Sequence, residues 1–132
     1  MKNDRQTPRL LIVDDEPDIR ISLKERLEFN NFEIVTASDG LEALALARSR
    51  KPDLIVTDIR MPIMDGLEMI KTLRQDDDAK HIPVIVMTAY SLEQLAKLNT
   101  VDFDEYVRKP FEMADLIGII EKTLDSSRVA SH

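Results

Sequence analysis

The sequence predicts a doubly wound α/β domain built on a parallel sheet, and three observations lead to this fold class. Five short apolar runs alternate with five amphipathic segments along the chain. Three of the runs are continuously apolar and rich in β-branched residues, which is typical of strands covered by helices on both faces. Turn-forming residues separate the segments. Strands that alternate with helices form a parallel sheet with right-handed crossovers.

Each element has its own local signal. The predicted strands occupy residues 10–13, 32–37, 54–57, 84–87 and 106–107. The predicted helices are marked by apolar residues at helical spacing, namely Ile19, Leu23 and Leu27, then Leu41, Leu44 and Ala45, then Leu67, Ile70 and Leu73, then Leu92, Leu95, Ala96 and Leu98, and finally Met113, Leu116, Ile117, Ile120 and Leu124. Pro17 fits the first turn of the first helix, and Pro52 follows the end of the second.

Length and composition indicate one domain and exclude several classes of protein. The chain has 132 residues, no cysteine and a net charge of -7. The missing cysteine excludes disulfides and thiolate metal sites, and the acidity argues against a nucleic-acid surface. No apolar run approaches the ~20 residues that span a bilayer, so we expect a cytoplasmic protein without a membrane segment. We expect the domain to cover 9–125, with flexible ends at 1–8 and 126–132.

Polar residues follow four of the predicted strands. Asp14 and Asp15 come after the first strand, Asp58 after the third, Thr88 at the end of the fourth and Lys109 after the fifth. In doubly wound sheets the functional crevice lies beyond the carboxyl ends of the strands. We therefore expect three carboxylates, one hydroxyl and one ammonium to converge at one edge.

This combination of groups indicates phosphoryl chemistry. Two carboxylates ~4 Å apart repel by ~4 kcal/mol at an effective dielectric of ~20, so the cluster needs a cation. Oxygen donors alone suit Mg²⁺, with Mn²⁺ as a substitute. Lys109 and Thr88 would complete a clamp for an anionic transition state, and a carboxylate that attacks phosphorus gives an aspartyl phosphate. Each residue alone is a weak signal, since an Asp-Asp pair more often caps a helix.

Four segments together resemble the receiver domain of bacterial response regulators, a CheY-like family of two-component signal transduction. They are Leu-Ile-Val-Asp-Asp-Glu at 11–16, Asp-Ile-Arg-Met-Pro-Ile-Met-Asp-Gly at 58–66, Val-Ile-Val-Met-Thr-Ala at 84–89 and Tyr-Val-Arg-Lys-Pro-Phe at 106–111. The resemblance covers about 9–124. It implies a flavodoxin-like sheet of strand order 2-1-3-4-5 and a switch that is not an enzyme, except that it catalyses its own phosphorylation and dephosphorylation.

The same resemblance assigns the acceptor and the metal ligands. Asp58 looks like the phosphoryl acceptor. Asp15 and Asp58 look like direct Mg²⁺ ligands, with the backbone carbonyl of Arg60 as a third, and Asp14 looks like a ligand through water. The Lys109-Pro110 bond is cis in this family.

The resemblance also assigns the residues that sense and keep the phosphoryl group. Thr88 and Lys109 would contact it, and Tyr106 matches an aromatic residue that rotates inward when Thr88 moves. Arg60 and Tyr90 occupy the two positions that tune the lifetime of the phosphorylated form, and neither offers a carboxylate or amide to orient a water molecule. We therefore expect slow hydrolysis.

The implied partners are a phosphohistidine donor, on a sensor histidine kinase or a phosphotransfer protein, and an output domain or downstream protein. Two other functions remain open: a phosphatase of the haloacid dehalogenase type, and a degenerate receiver that binds partners without phosphorylation.

Two departures from the family pattern concern the surface that a partner would bind. Residues 98–104 contain no glycine and form a segment about one residue short, so the fourth helix is truncated, shifted or mobile, and the fifth helix lacks the arginines of a common receiver dimer.

Overall fold

Five parallel strands form one sheet in the order β2-β1-β3-β4-β5, which confirms the predicted fold class and strand order. The computed structural model describes residues 7–98 and 102–130, with no side-chain detail for 128–130. Its elements in chain order are β1 (Arg9–Val13), α1 (Pro17–Phe29), β2 (Glu33–Ala37), α2 (Gly40–Arg50), β3 (Leu54–Thr57), α3 (Gly66–Leu73), β4 (Val84–Thr88), α4 (Leu92–Lys97), β5 (Glu105–Arg108) and α5 (Met113–Ala130).

The helices cover both faces of the sheet because the central strands are apolar on both sides. In β1, Leu10 and Ile12 point into a core with α1 and α5. Leu11 and Val13 alternate with them and face a second core with α2, α3 and α4. All four side chains are fully buried, and each contributes roughly 1.5–3 kcal/mol relative to exposure. This double burial fits the position of β1 inside the sheet, between β2 and β3.

Three of the first four helices begin with a side-chain cap, and one does not. The carboxylates of Asp39 and Asp65 accept hydrogen bonds from the third residue of α2 and α3, at 2.8 Å each. Ser91 forms a capping box with Gln94 at the start of α4. At the start of α1, Glu16 makes no side-chain cap and Pro17 takes the first helical position. The chain between β1 and α1 is therefore held by other contacts, which involve the functional site.

The buried face of α2 differs from the apolar pattern in the sequence. Leu41, which we used to mark this helix, is 56% exposed, whereas Ala43 and Ala47 are buried with Leu44. Alanine is a weak pattern signal, but it allows α2 to pack closely against the sheet. Leu92 at the start of α4 is likewise 62% exposed. The helices were predicted correctly, but these two side chains do not belong to the core.

The expectation of an unstructured tail from residue 126 is wrong for 126–130, because α5 continues to Ala130. No proline or glycine follows Gly118, so nothing in the sequence ends the helix at 125. The predicted flexibility of 1–6 and 131–132 lies outside the described residues, and so do 99–101. The α4 helix has six residues, in keeping with the expected truncation. Within the described chain, no helix has the length and apolar character needed to cross a bilayer.

Candidate functional site

The sheet register brings the predicted acids together. Val13 at the end of β1 pairs with Thr57 at the end of β3, so Asp14 and Asp58 leave the sheet side by side. One carboxylate oxygen from each of Asp14, Asp15 and Asp58 lies within 4.8 Å of the others. The predicted convergence of three carboxylates is therefore present in the structure.

Asp14 is fully buried, and hydrogen bonds fix every polar atom of it. Its carboxylate Oδ1 accepts from the amide of Glu16 at 2.9 Å, and Oδ2 accepts from Lys109 Nζ at 3.0 Å. Its amide donates to the carbonyl of Ala37 at 3.1 Å. Its own carbonyl accepts from Arg20 Nη1 at 2.8 Å. The carboxylate thus has one orientation, toward the cluster.

Asp58 is held from both sides. Its Oδ1 accepts from the amide of Ile59 at 2.6 Å, and its Oδ2 accepts from Lys109 Nζ at 2.9 Å. The backbone of Asp58 also lies against the start of α3, where a Cβ atom on Gly66 would sit 2.1 Å from the Asp58 carbonyl oxygen. Only glycine fits there, so Gly66 lets α3 support the acid directly.

Lys109 lies between the two acids and balances part of their charge. Its side chain is 19% exposed, whereas those of Asp58 and Asp14 are 15% and 0% exposed. Burial alone would lower the pKa of Lys109, but the hydrogen bonds and charges of Asp58 and Asp14 outweigh it, and its pKa is raised above 10.5. Lys109 therefore carries its positive charge at neutral pH.

Thr88 and Tyr106 are linked through one backbone segment. The Thr88 hydroxyl oxygen, nearly fully buried, accepts from the amide of Tyr90 at 3.2 Å. The hydroxyl of Tyr106 donates to the carbonyl of Tyr90. The carbonyl of Thr88 also accepts from the amide of Lys109 at 2.8 Å. A displacement of Thr88 would therefore be felt at both Tyr106 and Lys109, although the roles of these residues stay predictions.

A cleft of about 580 Å³ opens beside the acids and is lined in part by Asp15, Arg60, Leu67 and Tyr90. Arg60 Nη1 lies 3.4 Å from the hydroxyl of Tyr90, so the two residues assigned to lifetime are in contact. In the described part of the chain, the clustered side chains that could ligate a metal ion are the carboxylates of Asp14, Asp15 and Asp58, which fits a hard divalent cation such as Mg²⁺. The carbonyl of Arg60 as a ligand stays a prediction. The cis Lys109-Pro110 bond is confirmed.

Two residues near the acids were missed in the sequence. Arg20 lies six positions after Asp14 on a predicted helix, where an arginine is usually solvated, and no local pattern indicates that it contacts Asp14. Gly66 was recognised only as the last residue of the segment 58–66, because the sequence does not show how closely the backbone of Asp58 approaches it.

Comparison with known proteins places the chain in a family. The family model described as the response regulator receiver domain matches residues 10–121. The transcriptional regulatory protein PrrA of Mycobacterium tuberculosis is 40% identical over 120 residues, which are 89% of this chain and 50% of the relative. The response regulator MprA of Mycobacterium ulcerans is 37% identical over 92% of this chain and 52% of the relative. The chain thus spans about half the length of these curated relatives.

Solved structures show the same architecture. A CheY-like receiver domain protein from Methanospirillum hungatei is 32% identical, with a TM-score of 0.84 over 95% of this chain and 99% of that one. The receiver domain of the sensor histidine kinase PA1611 from Pseudomonas aeruginosa is 26% identical, with a TM-score of 0.84 over 90% of this chain and 98% of that one. That structure has a magnesium ion coordinated in its active-site cleft.

Proposed function

We propose that this chain, which belongs to the response regulator receiver domain family, uses Asp58 to accept a phosphoryl group and signals through the conformational change that follows. One observation carries the assignment: Asp14, Asp15 and Asp58 meet at the sheet edge, with Lys109 bonded to the first and third. Each of these side chains follows a strand end, so the fold itself holds them in place.

The chemistry needs a nucleophile and compensation for negative charge. A carboxylate oxygen of Asp58 attacks phosphorus, and the P–N bond to the donor's imidazole breaks, with its electron pair leaving on the imidazole. Bound among the carboxylates, Mg²⁺ would neutralise charge on the phosphoryl oxygens. Asp15 and Asp58 would hold the ion directly, Asp14 through water, and the carbonyl of Arg60 would complete the set.

Lys109 and Thr88 then respond to the new charge. Lys109 Nζ now bonds Asp58 Oδ2, and its flexible stem lets the ammonium turn to a phosphoryl oxygen once Asp58 carries the acyl phosphate. The Thr88 hydroxyl would donate to another phosphoryl oxygen and release the amide of Tyr90, which it now accepts from. Tyr106, bonded to the carbonyl of Tyr90, would reorient with it. This sequence converts a charge at Asp58 into a new surface near β5.

The expected phosphoryl donor is a phosphohistidine on a sensor histidine kinase or a histidine phosphotransfer protein. An output domain or a separate protein would read the switched surface. A related transcriptional regulator is about twice this length, which supports an output domain as the reader of the switch. A related receiver belongs to a sensor histidine kinase, which supports a histidine kinase pathway as the source of the phosphoryl group. We place the chain in the cytoplasm and regard it as a switch and not a turnover enzyme. We expect the site to take Mg²⁺ and to accept Mn²⁺ as a substitute.

The test is covalent labelling by a small phosphodonor. We expect acetyl phosphate with MgCl₂ to add one phosphoryl group, seen as a single increment in intact mass. Asp58→Asn should abolish the increment because the nucleophile is gone, and EDTA should suppress it in the wild type. Asp15→Asn should slow the reaction by weakening metal binding.

Asp77→Asn is the matched control, because Asp77 follows α3 and its side chain is 93% exposed. It should be labelled like the wild type. Labelling of Asp58→Asn at the wild-type rate would refute the acceptor assignment. Continuous hydrolysis of acetyl phosphate without a lasting adduct would indicate a phosphatase, and no reaction at all would indicate a degenerate receiver.

A further inference from the structure

We propose that Arg20 is a positioning residue of the acid cluster, acting through the backbone of Asp14. The proposal rests on the proposed function only in that the cluster is taken to bind a divalent cation. Arg20 lies on α1 and touches no carboxylate of the cluster within ion-pair distance among the described residues. Its contact is the carbonyl oxygen of Asp14, at 2.8 Å from Nη1.

That carbonyl would otherwise lack a partner. Asp14 is fully buried, and β1 ends one residue earlier, at Val13, whose carbonyl accepts the amide of Asp58. Among the described residues, no other hydrogen bond reaches the Asp14 carbonyl. An unsatisfied buried carbonyl is costly, so without Arg20 the peptide after Asp14 would turn to find water.

Such a turn would displace the acids. The carboxylate of Asp14 is only two torsions from its backbone, and the same peptide plane carries the amide of Asp15. The amide of Glu16 holds the carboxylate of Asp14 but not its carbonyl, and the Glu16 side chain makes no cap at the start of α1, unlike Asp39, Asp65 and Ser91 at the next three helices. Arg20 therefore satisfies the Asp14 carbonyl and fixes the segment that carries two of the three acids.

A positioning role and a purely electrostatic role predict opposite effects on Mg²⁺ binding. Arg20 is a cation near a cation site, so its charge alone disfavours Mg²⁺, and removing it would tighten binding. If Arg20 holds the ligands in place, its loss weakens binding instead, since outer-shell partners typically contribute 10–100-fold in metal affinity. The sign of the change separates the two.

The experiment compares Arg20→Met, Arg20→Lys and the control Arg26→Met. Arg26 is exposed on the same helix, and its side chain has no described partner, so its removal changes the charge of α1 equally. Titration with MgCl₂, followed by amide shifts at a temperature where all variants are folded, gives the dissociation constants. We expect about tenfold weaker binding for Arg20→Met, a smaller loss for Arg20→Lys, which keeps the charge but not the planar donor, and no loss for Arg26→Met.

A second readout needs no metal. In metal-free Arg20→Met, the amides of Asp14, Asp15 and Glu16 should shift, and the Glu16 amide, which donates to Asp14 Oδ1, should exchange faster with solvent. A merely structural role would lower the melting temperature of Arg20→Met while leaving the Mg²⁺ affinity of the folded protein unchanged. Equal or tighter Mg²⁺ binding in Arg20→Met, or unmoved amides at 14–16, would overturn the proposal.

Failure of the proposed function would look different. In that case wild-type protein would accept no phosphoryl group from acetyl phosphate, while the Mg²⁺ titration and the metal-free spectra would still decide the role of Arg20. If the wild type is labelled and Arg20→Met matches it in Mg²⁺ affinity, only the Arg20 proposal fails.

Discussion

Arg60 and Tyr90 lie on the wall of the cleft beside the acids, and their contact at 3.4 Å gives a physical basis for shielding the phosphoryl group. Arg60 can donate hydrogen bonds to a phosphoryl oxygen, and we expect the ring of Tyr90 to cover part of the path from which water must attack. Neither side chain can orient that water as a carboxylate or amide would.

We therefore predict a long-lived aspartyl phosphate that the double variant Arg60→Asn/Tyr90→Glu shortens. Decay of the phosphorylated form should become at least about fivefold faster, which corresponds to roughly 1 kcal/mol in the barrier. The measurement is loss of the phosphoryl mass increment with time after removal of the phosphodonor. Arg26→Asn, a charge change remote in sequence from the cleft, should decay like the wild type. An unchanged rate in the double variant would show that another feature sets the lifetime.

Residue types at the strand ends were predictable, but their partners were not. Asp14, Asp58 and Lys109 each follow a strand, so their meeting follows from the sheet topology. That one ammonium bonds both carboxylates is a matter of side-chain conformation over sequence separations of 51 and 95 residues. Local patterns carry no such information, and for the same reason the contact of Arg20 with Asp14 had no signal.

At the scale of elements, α2 and α3 are joined at their far ends by an ion pair. Arg48 near the end of α2 bonds the carboxylate of Asp76, which follows α3. The hydrogen bond from Arg48 and that from the amide of Asp78 lower the pKa of Asp76 below 3.8. A carboxyl group with a lowered pKa stabilises the fold at pH values above the pKa it has in the unfolded chain. This contribution is lost as the pH falls through the pKa of the folded protein.

Arg48→Gln should consequently raise the pKa of Asp76 toward 3.8, as followed by the side-chain carboxyl shift in an NMR titration from neutral to acid pH. At pH values below the pKa of Asp76, the wild type and Arg48→Gln should differ less in stability, because Asp76 is then protonated in both. Lys71→Gln removes an exposed charge from α3 without a described partner and serves as the control. An unmoved Asp76 pKa in Arg48→Gln would mean that the backbone amides alone set it.

The elements around α4 show where sequence patterns reach their limit. Arg74, at the end of α3, donates to the carbonyls of Lys80, Ile82 and Asp102 and to the carboxylate of Asp104. It thus ties the segment before β4 to the segment before β5. The shortness of α4 was expected from the missing glycine and the one-residue deficit. The contacts of Arg74 were not expected, since its partners lie on two segments that are 6–8 and 28–30 residues away in sequence.

Across the whole molecule, the predictable part of the fold is the part set by burial. Strands covered on both faces must be continuously apolar, and β3 and the first residues of β4 were predicted to the residue for that reason. Two features were not predicted. One is the burial of the small side chains of Ala43 and Ala47 in place of Leu41. The other is the extension of α5 to Ala130. The sequence after Gly118 contains no glycine or proline that would end the helix, and α5 runs past residue 125 without a local signal at 126.

The global stability should respond to the charge of the acid cluster. Mg²⁺ that binds only the folded protein stabilises it by about 2.7 kcal/mol at 100 times its dissociation constant, which raises the melting temperature of a domain of this size by roughly 8 °C. Without metal, Asp58→Asn removes repulsion from Asp14 and Asp15 and loses one ion pair with Lys109.

The lost attraction acts over 2.9 Å, whereas the two repulsions act over up to 4.8 Å, so each repulsion is weaker but their sum is slightly larger. We therefore expect a net gain of about 1 kcal/mol for Asp58→Asn in EDTA. Calorimetry in EDTA and in MgCl₂ measures both effects on the same samples, with Asp77→Asn as the charge-matched control. The rise in melting temperature caused by Mg²⁺ should be smaller in Asp58→Asn than in the wild type, because a metal ligand is lost. A melting temperature below that of the wild type in EDTA would show that the bridge through Lys109 outweighs the repulsion, so that the metal-free cluster is already balanced.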